Sequence, residues 1–342
     1  MQDRKNTATE TAIPGLLSTR SQLLEDALQK TEHAPRETLR TIVVLLDGSA
    51  PAEYALPYAI AIGRQSGASL RLVRVYSHLD DIDPWAFSHA AAGIKPSKRE
   101  KQRYLAQIAR KINRTEGLST DTVLIDSPNT VDALVSGAAD ADLVVIGSRR
   151  RRWLSHLWWF NTVDRLRRRL SVPILLTTGH STPVELTSGP RIKHILVPLD
   201  DSVLAQAAID PAAELSRLTG GSLTLLNVQD AQWSHGIFEH TDPRGYLLSQ
   251  MQPLQRSGVS VESQILTTSG DPGQAIVSYA DSRDVDLIAI ATRGDSGLSR
   301  LMRGSVADHL LRSTRLPILL QNVPETVKPS SSNHGEYSPN IS

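Results

Sequence analysis

Gly294, Gly304, Ser305 and Val306 stand within the stretch ATRGDSGLSRLMRGSVADHL, residues 291–310, with the two glycines ten positions apart. Glycine has no Cβ, so it takes positive φ freely and lets backbone N–H groups approach a ligand closely. A helix that opens at Ser305 and Val306 would add its own unpaired N–H groups and the positive end of its dipole. That end is worth about 0.3–1 kcal/mol to an anion, and up to ~2 kcal/mol when partly buried. The Ser305 hydroxyl can cap the helix or donate to a phosphate. The chemistry this pattern suits is the binding of a phosphate-bearing ligand. Asp200, which follows a separate apolar run, is placed to accept a hydrogen bond from a ribose or a base.

The elements that must position these residues come from a repeat. TIVVLLDGS (41–49) matches HILVPLDDS (194–202), and GASLRLVRV (67–75) matches GGSLTLLNV (220–228), both at an offset of 153. ADLVVIGSR (141–149) matches VDLIAIATR (285–293), and VPILL (172–176) matches LPILL (316–320), both at 144. The order of the blocks is the same in both copies, so the chain is a tandem duplication. The blocks are nearly continuous Val/Ile/Leu runs, as in strands buried on both faces of a parallel sheet. Residues 52–66 and 204–218 between them carry apolar residues at helical spacing. Each copy therefore reads as β-α-β-α-β-α-β. The fold class is α/β, two tandem doubly wound parallel-sheet domains of Rossmann-like type. Ligands in such sheets bind beyond the carboxyl ends of the strands, near the switch point. The last runs, 172–176 and 316–320, are short apolar edges, and each is expected to pair with the other across a pseudo-twofold axis.

The first copy has changed at the chemical positions. Gly147 stands where Ala291 does, but Arg150, Phe160 and Asn161 replace Gly294, Gly304 and Ser305. A bulky ring then lies where backbone should touch phosphate, and no standard site is expected there. The same segment, residues 149–169, has gained eight arginines against one acid, Asp164, interleaved with Trp153, Trp158, Trp159 and Phe160. Three readings stand: the rings pack inward with the arginines as a solvated rim, the segment binds a protein partner, or it binds nucleic acid or a membrane. The rings are expected to be buried, because three exposed tryptophans would make an unusual patch.

Composition narrows the rest. With 37 basic and 36 acidic residues, nucleic acid and membrane are not expected partners. The absence of cysteine excludes disulfides, thiolate metal sites and cysteine nucleophiles, and suits a cytoplasmic location. No run of about 18 apolar residues and no signal-like start occurs, so a soluble protein is expected. The ten histidines show no H-E-x-x-H spacing, and Asp80, Asp81 and Asp83 read as a solvated loop, so no metal site is predicted. No nucleophile elbow or P-loop appears, and no catalytic residue is predicted.

The glycine pattern resembles that of the universal stress protein family, whose nucleotide-binding members carry Gly-x-x-Gly-x9-Gly-Ser/Thr after the fourth strand. Ala291, Gly294, Gly304 and Ser305 fall on those positions, with alanine for the first glycine. VPLDDS (197–202), Gly-Asp-Pro at 270–272 and LPILL support the resemblance, which spans roughly residues 40–323. It implies an adenine nucleotide, ATP (or AMP or ADP) with Mg²⁺, in the C-terminal copy. Pro198, Leu199 and Asp200 would border the adenosine and Val228 the base. Arg293, Gly294, Gly304, Ser305 and Val306 would surround the phosphates. The implied role is a stress sensor or regulator; the alternatives are a nucleotide-independent interaction protein using 149–169, or a slow ATPase. The two domains would form an intramolecular pseudo-dimer, with a further homodimer open. The expected organisation is an N-terminal extension (1–39) with a helix at 20–30, capped by Thr19 and Gln22, a first domain (40–180), a second domain (190–323) and a disordered tail (324–342).

Overall fold

A computed structural model describes residues 39–76, 96–149, 156–179, 189–231, 242–293 and 306–323. The expected helix at 20–30, the glycine loop at 294–305 and the tail lie outside the described residues. The first half runs β1 (Thr41–Leu45), α1 (Ala50–Glu53), α2 (Ala55–Ser66), β2 (Ser69–Tyr76), α3 (Lys98–Glu116), β3 (Thr120–Asp126), α4 (Thr130–Gly137), β4 (Leu143–Arg149), α5 (His156–Arg167) and β5 (Ile174–Gly179). The second repeats it as β6 (His194–Leu199), α6 (Val203–Gln206), α7 (Ile209–Thr219), β7 (Ser222–Asp230), α8 (Pro243–Arg256), β8 (Ser260–Thr268), α9 (Pro272–Ser282), β9 (Leu287–Arg293), α10 (Val306–Ser313) and β10 (Ile318–Val323).

Each copy thus has five strands where the sequence reading counts four. The missed ones, β3 and β8, are the outer edges of the sheet and mix polar with apolar residues, so they lack the long continuous runs that mark the buried strands. The single helices expected at 52–66 and 204–218 are each broken near their start. Pro57 and Pro211 have no N–H to return to the carbonyls four residues earlier, which interrupts the ladder there.

All ten strands lie in one sheet, in the order β3-β2-β1-β4-β5-β10-β9-β6-β7-β8. Within each half the ladders are parallel; the halves join through β5 and β10, which run antiparallel with Ile174, Leu175 and Leu176 opposite Leu320, Leu319 and Ile318. This is the pairing that the two short apolar runs predict. Leu175 and Leu319 enter the core on one face of the sheet, while Ile174, Leu176, Ile318 and Leu320 enter the core on the other. Both cores therefore cross the seam between the halves, each with residues from β1, β4, β6 and β9.

Candidate functional site

At the switch point of the second half, β6 and β9 lie side by side but part early. Their ladder holds only Ile195 opposite Leu287 and Leu196 opposite Ile288. The equivalent strands of the first half, β1 and β4, stay paired two residues further, through Leu45 opposite Ile146. The residue matching Leu45 is Pro198, which has no N–H to contribute and so favours the fork. Beyond Leu196 and Ile288 the carboxyl ends of β6 and β9 have no ladder between them, which leaves room for a crevice there.

The residues predicted to line this crevice divide between the two faces of the sheet. Val228 and Val306 pack against the core beneath α9 and α10. Pro198, two positions along β6 from Leu196 of that core, lies on the same face. Leu199 is buried in the opposite core, and Ala291 packs against that core as well. The Ala291 methyl is therefore turned away from the face that carries Val228 and Val306. In the first half this position must be glycine: a Cβ on Gly147 would lie 2.4 Å from the Pro51 carbonyl oxygen and 2.6 Å from that of Ala52. The turn after β1 is seated on β4 there, whereas the turn after β6 leaves room for a methyl. Asp200 is exposed and its Oδ1 accepts the Ser202 N–H at 3.2 Å and hydroxyl at 2.5 Å. Ser202 in turn caps α6 by accepting the Ala205 N–H at 3.1 Å. Arg293 ends β9 and Val306 opens α10; Gly294, Gly304 and Ser305 lie outside the described residues.

Sequence reasoning passed over Thr292. It is 3% exposed and, among the described residues, its hydroxyl has no hydrogen-bond partner. It lies between Ala291 and the glycine loop, two positions beyond Ile290 of the core beneath α10. A buried hydroxyl without a partner costs about 1–3 kcal/mol, so the end of β9 is chemically incomplete.

A second difference between the halves lies where β2 and β7 end. Gly48, Glu53 and Arg74 of the first half match Asp201, Gln206 and Asn227 of the second at the offset of 153. Tyr104 and Tyr246 also correspond, each preceding a buried leucine of its helix, Leu105 or Leu247. In the first half Arg74 is 8% exposed, and its guanidinium lies 5.2 Å from the Tyr104 ring centre. The Tyr104 hydroxyl donates to Glu53 at 2.9 Å. Burial, and then the Glu53 charge, push that hydroxyl well above the ordinary tyrosine range. Lys101, 6% exposed, lies 4.8 Å from the Tyr76 ring centre close by. In the second half both cations are gone, as asparagine and proline. Asp201 holds the left-handed φ of 62° that Gly48 holds at 88°. Its Oδ1 accepts from Asn227 Nδ2 at 3.1 Å, and the same amide donates to the Leu199 carbonyl at 3.0 Å. Burial and the neighbouring Asp200 charge raise the Asp201 carboxyl. Burial likewise pushes the Tyr246 hydroxyl up to about 12. Asn227 Oδ1 is buried without a partner among the described residues, while Gln206 stands beside the Tyr246 hydroxyl. The first half thus closes its strand ends with its own charges, and the second leaves the Asn227 carbonyl oxygen unfilled.

The arginine-rich segment is partly committed to the fold. Arg167 is 1% exposed and pairs with Asp164; Arg168 reaches the same carboxylate at 2.8 Å, and Arg169 pairs with Asp132. The side chains of Trp153, Trp158, Trp159 and Phe160 lie outside the described residues, and with them the expected burial of those rings. Among the described residues no helix is long and apolar enough to cross a membrane.

Compared with known proteins, residues 38–178 and again 191–321 match the universal stress protein family. The chain belongs to that family, as a tandem form. A universal stress protein of Synechocystis sp. is 21% identical over 308 residues, covering 82% of this chain and 99% of its own. One of Methanocaldococcus jannaschii is 34% identical over 68 residues, 20% of this chain and 39% of its own. The crystal structure of a universal stress protein from Archaeoglobus fulgidus superimposes with a TM-score of 0.62 at 17% identity, over 82% of this chain and 96% of that one.

Proposed function

We propose that the protein binds one adenine nucleotide, ATP or its di- or monophosphate, in the crevice of its C-terminal half, and acts as a stress sensor or regulator rather than a catalyst. The observation that carries this reading is the early parting of β6 and β9, beside the unpartnered Thr292 hydroxyl. Pro198, Leu199, Asp200 and Val228 would flank the adenosine, Leu199 through its backbone because its side chain is buried. Arg293, Gly294, Gly304, Ser305 and Val306 would hold the phosphates, with Ala291 bordering the site through its backbone and N–H groups at the start of α10 facing the negative charge. Among the described residues no group of three or more histidines or acids is placed to hold a metal ion. A Mg²⁺ ion would be carried chiefly by the phosphates and water, as is usual for this ion. Mass spectrometry of gently purified protein tests the reading. One adenine nucleotide per chain is expected; protein free of nucleotide that also takes up no ATP, ADP or AMP on addition rules it out.

A further inference from the structure

A cavity of about 530 Å³ lies away from the strand ends, where the first half's α2 meets the segment leading into β6. Its apolar floor comes from Ile60, Ala61 and Pro190, and Arg64, Arg191 and Lys193 stand around it. The floor is contributed by both halves: a Cβ on Gly189 would touch the Ala61 methyl at 3.1 Å, so the connecting segment lies directly on α2. The volume falls in the range of about 300–1,000 Å³ usual for small-molecule sites.

The charges around it are unbalanced. Arg64 Nη1 is held by Glu116 at 3.1 Å, which leaves the other donors of its fork unused by that pair. Lys193 Nζ donates to the Thr219 and Gly220 carbonyls at the end of α7, which are dipoles and carry no full charge to offset its own. The Asp286 carboxylate is engaged by the Lys193 and His194 N–H groups at 2.7 and 2.9 Å. Arg191 is exposed and has no hydrogen bond or ion pair with another described residue. Glu116 and Asp286 offset two of the three cations, which leaves Arg191 beside the apolar floor as a positive charge that a bound anion would balance. The repeat supplies a control. In the second copy Ala61 is matched by Glu214, so a carboxylate stands where this cavity has a methyl, and the equivalent of Arg64, Arg217, donates to the Ser257 hydroxyl at 3.0 Å.

We infer that this cavity binds an organic anion with a short apolar body, the body on Ile60, Ala61 and Pro190 and the negative head between Arg191, Arg64 and Lys193. Guanidinium groups suit either a phosphate or a carboxylate head. The inference does not depend on nucleotide binding, since none of these residues belongs to the proposed nucleotide site. A ligand held there touches both halves and ties the connecting segment to α2.

Calorimetric titration of octyl phosphate and of octanoate into the full chain, saturated with ATP, tests this. At least one of the two binds saturably at one site, and the stronger identifies the head group. Arg191→Glu weakens that binding at least tenfold, Arg217→Glu leaves it unchanged, and both variants keep ATP binding. No saturable binding of either probe, or equal binding to the Arg191→Glu protein, overturns the inference.

Discussion

The guanidinium of Arg74 lies directly over the bare α-carbon of Gly48: a Cβ there would meet Nη1 at 2.6 Å. These two positions have changed together in the second half, to Asn227 and Asp201, which bond to each other instead. Each pair fills the same space, so a side chain at position 48 forces the Arg74 guanidinium off the Tyr104 ring. Gly48→Asp alone is expected to destabilise by about 1–3 kcal/mol, the usual cost of overpacking a filled site. Adding Arg74→Asn should recover at least about 1 kcal/mol of that loss, as residues in direct contact commonly couple by this much. Urea denaturation of the four members of the cycle measures it; simple additivity of the two changes would refute the shared space.

Leu175 and Leu319 face each other across the only antiparallel ladder of the sheet among the described residues, and both enter a core that continues into each half. Leu319→Ala removes three carbons from a residue 2% exposed, which should cost about 2–5 kcal/mol. Because the cores cross the seam, both halves should lose stability together. Calorimetry is expected to show one transition moved to lower temperature. Two transitions, only one of them moved, would mean that the halves fold independently.

Asp201 gives a pH dependence. Burial and Asp200 raise its carboxyl in the folded protein above the ordinary value of 3.8. The folded state then holds the proton more tightly than the unfolded one, so stability falls as pH rises from about the ordinary value through the raised one, and stays lowered above it. Asp201→Asn keeps an acceptor for Asn227 and tolerates the left-handed backbone. It should raise the denaturation midpoint at pH 7 and lose that advantage at pH 3.5. A gain of equal size at both pH values would assign the effect to something other than charge.

Pro198 sets where β6 leaves β9. Pro198→Leu restores the residue type and the N–H of Leu45, which stays paired with Ile146. The ladder should extend and the crevice narrow, with no loss of stability but at least a tenfold weaker affinity for ATP. Unchanged affinity in a well-folded variant would remove the fork from the account.

Much of this was legible in the residues. The inner strands are uninterrupted Val/Ile/Leu runs because they are covered on both faces, and the seam could be foreseen because two apolar edges cannot both remain bare. The edge strands were missed for the converse reason: in TDTVLID and SVESQILTT one side meets solvent, and the apolar signal is diluted. In the strand SLRLVRVY nothing sets Arg74 apart from Arg71. The contacts of Arg74 with Gly48 and Tyr104 are 26 and 30 positions away in sequence, and Tyr104 reaches Glu53 across 51 more, which no local pattern encodes. Ala291 looked like a departure at the ligand; its direction, toward the core opposite Val306, came only from the alternation of the folded strand.

The first half is closed at its strand ends by its own side chains, and the second half is expected to take a nucleotide there. Calorimetric titration of ATP into the full chain tests it most directly. One site per chain is expected, abolished by Gly304→Val, because a β-branched side chain disfavours positive φ and fills the phosphate space, and left unchanged by Phe160→Ala. Two sites per chain, or one that survives Gly304→Val and is lost with Phe160→Ala, would contradict the account.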